Sequence, residues 1–238
     1  MARKATAKLT DEGELPESKS ARTRGRILDA AAHVLSIKGY AGTRLTDVAE
    51  YAELQAPAIY YYFPSREELI EEVMWVGIAD MRQHVLAVLD AVDPASSPMD
   101  RILVAVEAHL RHELEISDYT TASIRNAGQL PESIRARQVA EEAKYGKIWQ
   151  KLFKDAADEG QIRDDLDVKM ARMLVIGALN WAAEWWNPRR GSLDTVVATA
   201  QSIVSAGLSP KPTSTVAAAP RKTAAPARPR RRSGQTAI

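Results

Sequence analysis

The sequence predicts an all-α protein. Apolar residues recur at three- and four-residue intervals along the chain, and no sustained period-two alternation or Asn-Gly or Asp-Gly hairpin turn marks a strand. Glycine, proline and Ser/Asp capping residues punctuate the periodic segments at helix-length spacing. The expected architecture is a three-helix head followed by a six-helix body.

The first helix is expected to start at an N-cap Thr23, bury Ile27, Leu28, Ala31, Val34 and Leu35, and stop at Gly39. A short second helix spans about 45–51 and a third about 55–63, ended by Pro64-Ser65. Ser65 then caps a long helix from Arg66 to about Leu89, with Glu68 three residues on. In the body, helices are expected over about 98–116, 119–126, 132–159, 167–186 and 193–206. The domain reading is an arm at 1–20, a head at 21–66, a body at 67–208 and a tail at 209–238. The arm is polar and aperiodic, and the tail is rich in Pro, Ala, Arg and Ser, so neither has the apolar content to bury a core.

Hydrophobic residues make up 45% of the chain, which excludes global disorder. The absence of cysteine excludes disulfides, a thiol nucleophile and thiolate metal sites. His109 and His112 stand three apart and could share a metal, but no third ligand lies nearby, so they read as pocket or surface residues and no metal or cofactor is expected. No apolar run approaches the ~20 residues of a membrane span, and the polar N-terminus lacks the apolar segment of a signal peptide, so a cytoplasmic protein with no membrane partner is expected. The net charge of +1 hides an asymmetry. Residues 209–238 carry +7 with no acid, residues 22–66 carry +2, and residues 67–208 carry −8. Only the ends of the chain are suited to a polyanion.

The segment 45–64, LTDVAEYAELQAPAIYYYFP, pairs two short helices across a tight turn. Leu45, Val48, Ala49, Leu54 and Ile59 supply its apolar contacts, and small Ala49 lets the helices cross closely. A recognition helix enters the major groove by its N-terminal end, which directs Gln55, Ala56, Pro57 and Ala58 to base edges. Glutamine can bond adenine, while alanine and proline can touch thymine methyls. Arg44 and Thr46 at the start of the second helix join this surface. The hydroxyls of Tyr60, Tyr61 and Tyr62, with Arg66, suit phosphate oxygens.

These residues resemble the DNA-binding head of the TetR family of repressors, T-x-x-x-D-I-A-x-x-A-G-V-S-x-x-x-L-Y-x-Y-F-x-x-K-x-x-L. Thr43, Asp47, Val48, Ala49, Ala52, Leu54, Ile59, Tyr60, Tyr62, Phe63, Arg66 and Leu69 stand in the matching places. The resemblance implies that Tyr60 and Phe63 pack the head while Tyr61, Tyr62 and Arg66 contact the DNA backbone. Three positions depart from the pattern: Glu53 replaces the turn glycine, Gln55 the capping serine, and Ala58 a phosphate-binding serine or threonine. A glutamate where the backbone needs positive φ is strained.

The same resemblance implies a ligand pocket within the body and dimerisation through its last two helices. The penultimate helix is apolar on more than one face and the last one likewise, as expected of helices buried on two sides. Leu179, Ala183, Trp186, Val197, Ala200 and Val204 are the expected interface residues of a two-fold homodimer. Aromatic or polar residues on largely apolar helices, Trp75, His109, His112, Tyr119, Arg125, Trp149 and Trp181, are the expected pocket. The stretch 147–193 resembles the subgroup of these repressors that governs lipid and steroid catabolism, which implies a coenzyme A thioester as effector, although an acidic body does not favour a polyphosphate. No phosphate-binding glycine loop, G-x-S-x-G or H-E-x-x-H supports an enzyme. The expected function is a ligand-responsive repressor that binds a palindromic double-stranded DNA operator as a dimer and is released by a small hydrophobic effector such as an acyl-CoA. The alternative is a constitutive architectural DNA-binding protein.

Overall fold

The computed structural model describes residues 19–189 and 191–210. The expected arm and nearly all of the basic tail lie outside the described residues. Among those described there is helix and no strand: α1 (Lys19–Gly42), α2 (Leu45–Tyr51), α3 (Ala56–Tyr62), α4 (Arg66–Asp90), α5 (Pro98–Arg111), α6 (Asp118–Asn126), α7 (Ala136–Asp158), α8 (Val168–Asn180), α9 (Ala182–Trp185) and α10 (Leu193–Leu208). A π-helical turn, His112–Ile116, extends α5, and a 3-10 turn, Glu132–Ile134, precedes α7. Among the described residues no helix is long and apolar enough to cross a membrane.

Local chemistry explains most boundaries. The Ser65 hydroxyl accepts the Glu68 amide at 3.1 Å and starts α4, and Ser97, Asp167 and Ser192 cap α5, α8 and α10 in the same way. Gly39 breaks α1 with φ 70°, a conformation that glycine adopts without strain. Thr23 does not cap α1. Residues 19–22 contain no breaker, so the helix begins at Lys19, and the Thr23 hydroxyl donates instead to the Lys19 carbonyl at 2.9 Å. The helix expected over 132–159 is divided by the turn before Ala136. The one expected over 167–186 stops at Asn180 and restarts as the single turn α9.

Two apolar cores form. One joins Ile27, Leu35, Val48, Ile59 and Phe63 of α1–α3 to Leu69, Ile70, Val73 and Met74 of α4, and to Ala122 of α6, Leu130 and Ile134. The other fills the body around Met81, Val85, Ile102, Leu110, Trp149 and Phe153, and takes in Leu179, Val197 and Val204. Helix α4 belongs to both. It crosses α6 at Gly77, where an added Cβ would stand 2.2 Å from the Tyr119 carbonyl oxygen. The crossing is sealed by Thr120, which donates to the Gly77 carbonyl at 3.1 Å, and by Ser123, which donates to that of Met74 at 2.8 Å.

Candidate DNA interface and effector pocket

The helix-turn-helix is built from α2 and α3. Val48, Ala49 and Ile59 are buried between them, and the turn is closed by the Leu54 amide donating to the Ala49 carbonyl at 2.9 Å. Glu53 takes φ 54° in that turn, the left-handed conformation its replacement of glycine implied. Arg26 donates to the Ala52 carbonyl beside it. With their apolar sides fixed, α2 and α3 leave Arg44, Thr46, Gln55, Pro57, Tyr60 and Tyr61 exposed, and Ala56 and Ala58 half-buried.

Two residues of this set differ from expectation. Tyr60 does not pack the head: it is 56% exposed, while Tyr62 is half-buried against the head core, edge-on to the 82%-exposed ring of Tyr61. The α-helical step places Tyr62, three residues after the buried Ile59, on the inner side and leaves Tyr60 outside. Arg66 is a brace rather than a free cation. It donates to the Thr43 carbonyl at 2.8 Å and to that of Tyr40, lies 4.5 Å over the Tyr40 ring and pairs with Glu67 at 3.1 Å. It thereby fixes the loop between α1 and α2.

The residues expected to form one ligand pocket do not form a single site. His109, His112 and Trp149 do come together in the body interior. His109 shares a hydrogen bond with the Tyr145 hydroxyl at 2.9 Å and stands 3.4 Å from the Glu113 carboxylate, and its ring meets Trp149 edge-on. His112 stacks on His84 of α4 with ring centroids 4.8 Å apart. Burial, with His84 and His109 nearby, lowers the His112 pKa to about 4, while burial pushes Glu113 up against the opposing pull of His109. Neither ring nitrogen of His112 has a hydrogen-bond partner in the described structure. It lines an open cleft of about 540 Å³ with Asp80, Gln83, His84, Ser117 and Tyr119. Among the described residues no group of three or more His, Asp or Glu could hold a metal ion.

The other expected pocket residues are engaged elsewhere. Trp75 lies under the Arg137 guanidinium at 3.8 Å. Tyr119 borders the cleft but donates its hydroxyl to Asp29 of α1 at 2.7 Å. Arg125 is taken up by Ser36, Ala183 and Glu184, which leaves it a structural tie. Trp181 is 65% exposed on the outer face. Sequence reasoning passed over Glu113, Tyr145, His84 and Asp80. The i, i+4 spacing of His109 and Glu113, which puts both on one side of the helix, is a usable signal; the partners on α4 and α7 have none.

The outer face of α8 to α10 is apolar. Leu174, Ala178, Trp185, Thr199, Ile203 and Gly207 border a groove of about 570 Å³ with Leu179, Ala200 and Val204 on its floor. Three expected interface residues are elsewhere: Ala183 and Val197 are buried within the subunit, and Trp186 is half-buried against the body core. The face that remains open is carried by Met170, Met173, Leu174, Trp181, Trp185 and Ile203. Both helices are apolar on two sides as expected, but side-chain phase assigned several positions to the other side.

An exposed recognition helix on a three-helix head, joined through a shared long helix to an all-α body, defines a helix-turn-helix transcription regulator. The sequence pattern described as bacterial regulatory proteins of the tetR family matches residues 27–73, and that described as the tetracyclin repressor-like C-terminal domain matches residues 95–207. Together they span about two thirds of the chain, and the protein belongs to the TetR family of DNA-binding transcriptional repressors. Its sequence is 25% identical over 170 residues to the transcriptional repressor KstR2 of Mycobacterium tuberculosis, covering 69% of this chain and 82% of that one. The crystal structure of AibR in complex with isovaleryl coenzyme A and operator DNA superposes with a TM-score of 0.69 at 20% identity, over 79% of this chain and 100% of that one. The ketosteroid regulator KstR2 of M. tuberculosis superposes at 0.67 with 20% identity, over 82% and 98%. At these identities the superpositions establish the fold.

Proposed function

We propose that the protein is a dimeric repressor that reads a two-fold operator through α3 and releases it when an acyl-CoA thioester enters the body. The observation that carries the DNA half is the exposure of Gln55 at the N-cap of α3 and of Pro57, Tyr60 and Tyr61 on that helix, beside Arg44. Gln55 and Pro57 face bases; Tyr60, Tyr61 and Arg44 take phosphates. The outer apolar face of α8 to α10 meets its copy about a two-fold axis, which removes from water an area too apolar for a lone soluble subunit.

The effector reading rests on the buried polar cluster and on the relatives. His112 offers two unpartnered ring nitrogens at the inner end of an open cleft, as a site wants that fixes one polar group of a largely apolar ligand. AibR was crystallised with isovaleryl coenzyme A, and KstR2 is a ketosteroid regulator; a thioester carbonyl is an acceptor for the N–H of a neutral His112. Selecting binding sites from random DNA with the purified protein supplies the operator. Tyr61→Ala and Arg44→Ala should each weaken its binding by roughly 1–3 kcal/mol with the fold retained. Wild-type affinity in both variants would remove the α3 surface from DNA. Addition of short- to long-chain and steroidal acyl-CoA thioesters to the preformed complex should release DNA where free coenzyme A does not. Indifference to the whole panel would favour the constitutive architectural alternative.

A further inference from the structure

Helix α6 is nine residues long and touches the head along its whole length. Asp118 pairs with His33 at 3.0 Å, and Tyr119 donates to Asp29 at 2.7 Å. Asn126 is buried; its side-chain oxygen accepts the Tyr40 amide at 2.8 Å, just past the Gly39 break, and its nitrogen reaches the Leu35 carbonyl. These contacts all stop at α1. Arg125 goes further. One arm of its guanidinium donates to the Ser36 carbonyl of α1 at 2.9 Å, the other donates to the Ala183 carbonyl of α9, and its Nε lies 3.4 Å from the Glu184 carboxylate. Helix α9 is the single turn set between Trp181 and Trp185, both exposed on the outer apolar face. Helix α9 also packs against the π-helical turn that carries Glu113, the carboxyl that faces His109 in the body interior.

We propose that Arg125 is a positioning residue that fixes the DNA-binding head at a set distance from the partner-facing surface, and so sets the half-site spacing the dimer accepts. A planar guanidinium with fixed donors suits the task, because it can hold two carbonyls on different elements and a carboxylate at once, whereas a lysine ammonium has no such fork. Helix α4 joins head to body along one line and leaves rotation about that line open. The Arg125 clamp, off that line on α6, restrains the rotation. Because α9 also packs on the π-helical turn, a ligand that displaces that turn moves the reference point of the head. This inference rests on the dimeric reading of α8 to α10 given above.

The test uses full-length protein and three DNA duplexes: the operator obtained by selection, the same operator with two base pairs inserted at its dyad, and a single half-site. Wild type should bind the selected operator at least tenfold more tightly than the expanded one. Arg125→Met should lose most of that discrimination through weaker binding of the selected operator, with half-site affinity within about twofold of wild type. Glu184→Ala, which leaves both carbonyl bonds in place, should lose part of it and covers the case in which Arg125→Met fails to fold. Arg82→Met, which breaks the ion pair between Arg82 and Glu141 inside the body and touches nothing in the head, should retain it. Full discrimination in both the Arg125 and Glu184 variants would overturn the proposal, as would an equal loss on half-site and operator, which marks damage to the head itself. A wild-type protein indifferent to spacing would overturn the dimeric reading and this inference with it.

Discussion

His112 shows how one side chain can carry a pH response. It is neutral in the fold because burial and the neighbouring His84 and His109 hold its pKa near 4, against an ordinary value of 6.5. Its folded pKa is depressed, so its contribution to stability is present above pH 6.5 and is lost as pH falls toward 4. The full shift corresponds to at most roughly 3.5 kcal/mol. Glu113 acts in the opposite sense, since its raised pKa weakens the fold as pH rises above the usual carboxyl range. The difference between wild type and His112→Gln isolates the first effect: melting temperatures of the two should converge as pH is lowered from 6.5 to 4. Parallel melting curves across that interval would show that His112 titrates as it does in water. Packing decides that His112 is buried; sequence alone offers it as a pocket or surface residue on a largely apolar helix. Sequence also gives no sign of His84, which stands 28 positions earlier and meets it only because α4 packs on α5.

At the level of elements, the crossing of α4 and α6 and the outer face of α8 to α10 carry separate consequences. A methyl group at Gly77 would meet the Tyr119 carbonyl and the Ser123 hydroxyl at 2.3 Å or less, and backbone cannot swing aside as a flexible side chain can. Gly77→Ala should therefore cost roughly 2–3 kcal/mol, read as a lowered denaturation midpoint, and should weaken DNA binding because α6 is the seat of α1. A midpoint within experimental error of wild type would mean that the helices separate freely there. The apolar face yields a pair of contrasting variants. Leu174 is 75% exposed, so Leu174→Arg should give folded monomers by light scattering with unchanged helical circular dichroism. Val197 is 4% exposed, so Val197→Arg should unfold the body instead, because the charge enters the core of its own subunit. A folded dimeric Leu174→Arg protein would move the interface off this face.

For the whole molecule, the notable feature is that the head has no core of its own. Ile27, Leu35, Ile59 and Phe63 are covered in part by Leu69, Ile70, Val73 and Met74 of α4 and by Ala122, Leu130 and Ile134 beyond it. Residues 1–66 expressed alone lack those partners and, at that size, bury too little surface to fold. They should show little helix by circular dichroism, and the full chain should melt with head and body probes coincident. A cooperatively folded 1–66 fragment would mean that the seam is a contact between two finished domains.

The sequence by itself determined most of the helices and the helix-turn-helix, because each depends on spacing within a single helix or across one short turn. Ser65 caps α4, Gly39 breaks α1 and Glu53 adopts a positive φ where the local pattern required each of them. What only the tertiary structure decided depends on pairs of distant elements. Arg66 and Arg125, both read as groups free to bind a ligand or DNA, spend their donors on carbonyls 23 or more residues away, which local periodicity does not specify. Side chains on α8 and α10 divide between core and outer face by a rotation of the helix that an apolar stripe on both sides leaves undetermined. Trp181 and Val197 were therefore assigned to the wrong sides, although the two-sided character of their helices was evident from composition. The rotation is set by packing against α5 and α7, and it is this packing that turns a readable set of helices into one head, one body and the seam between them.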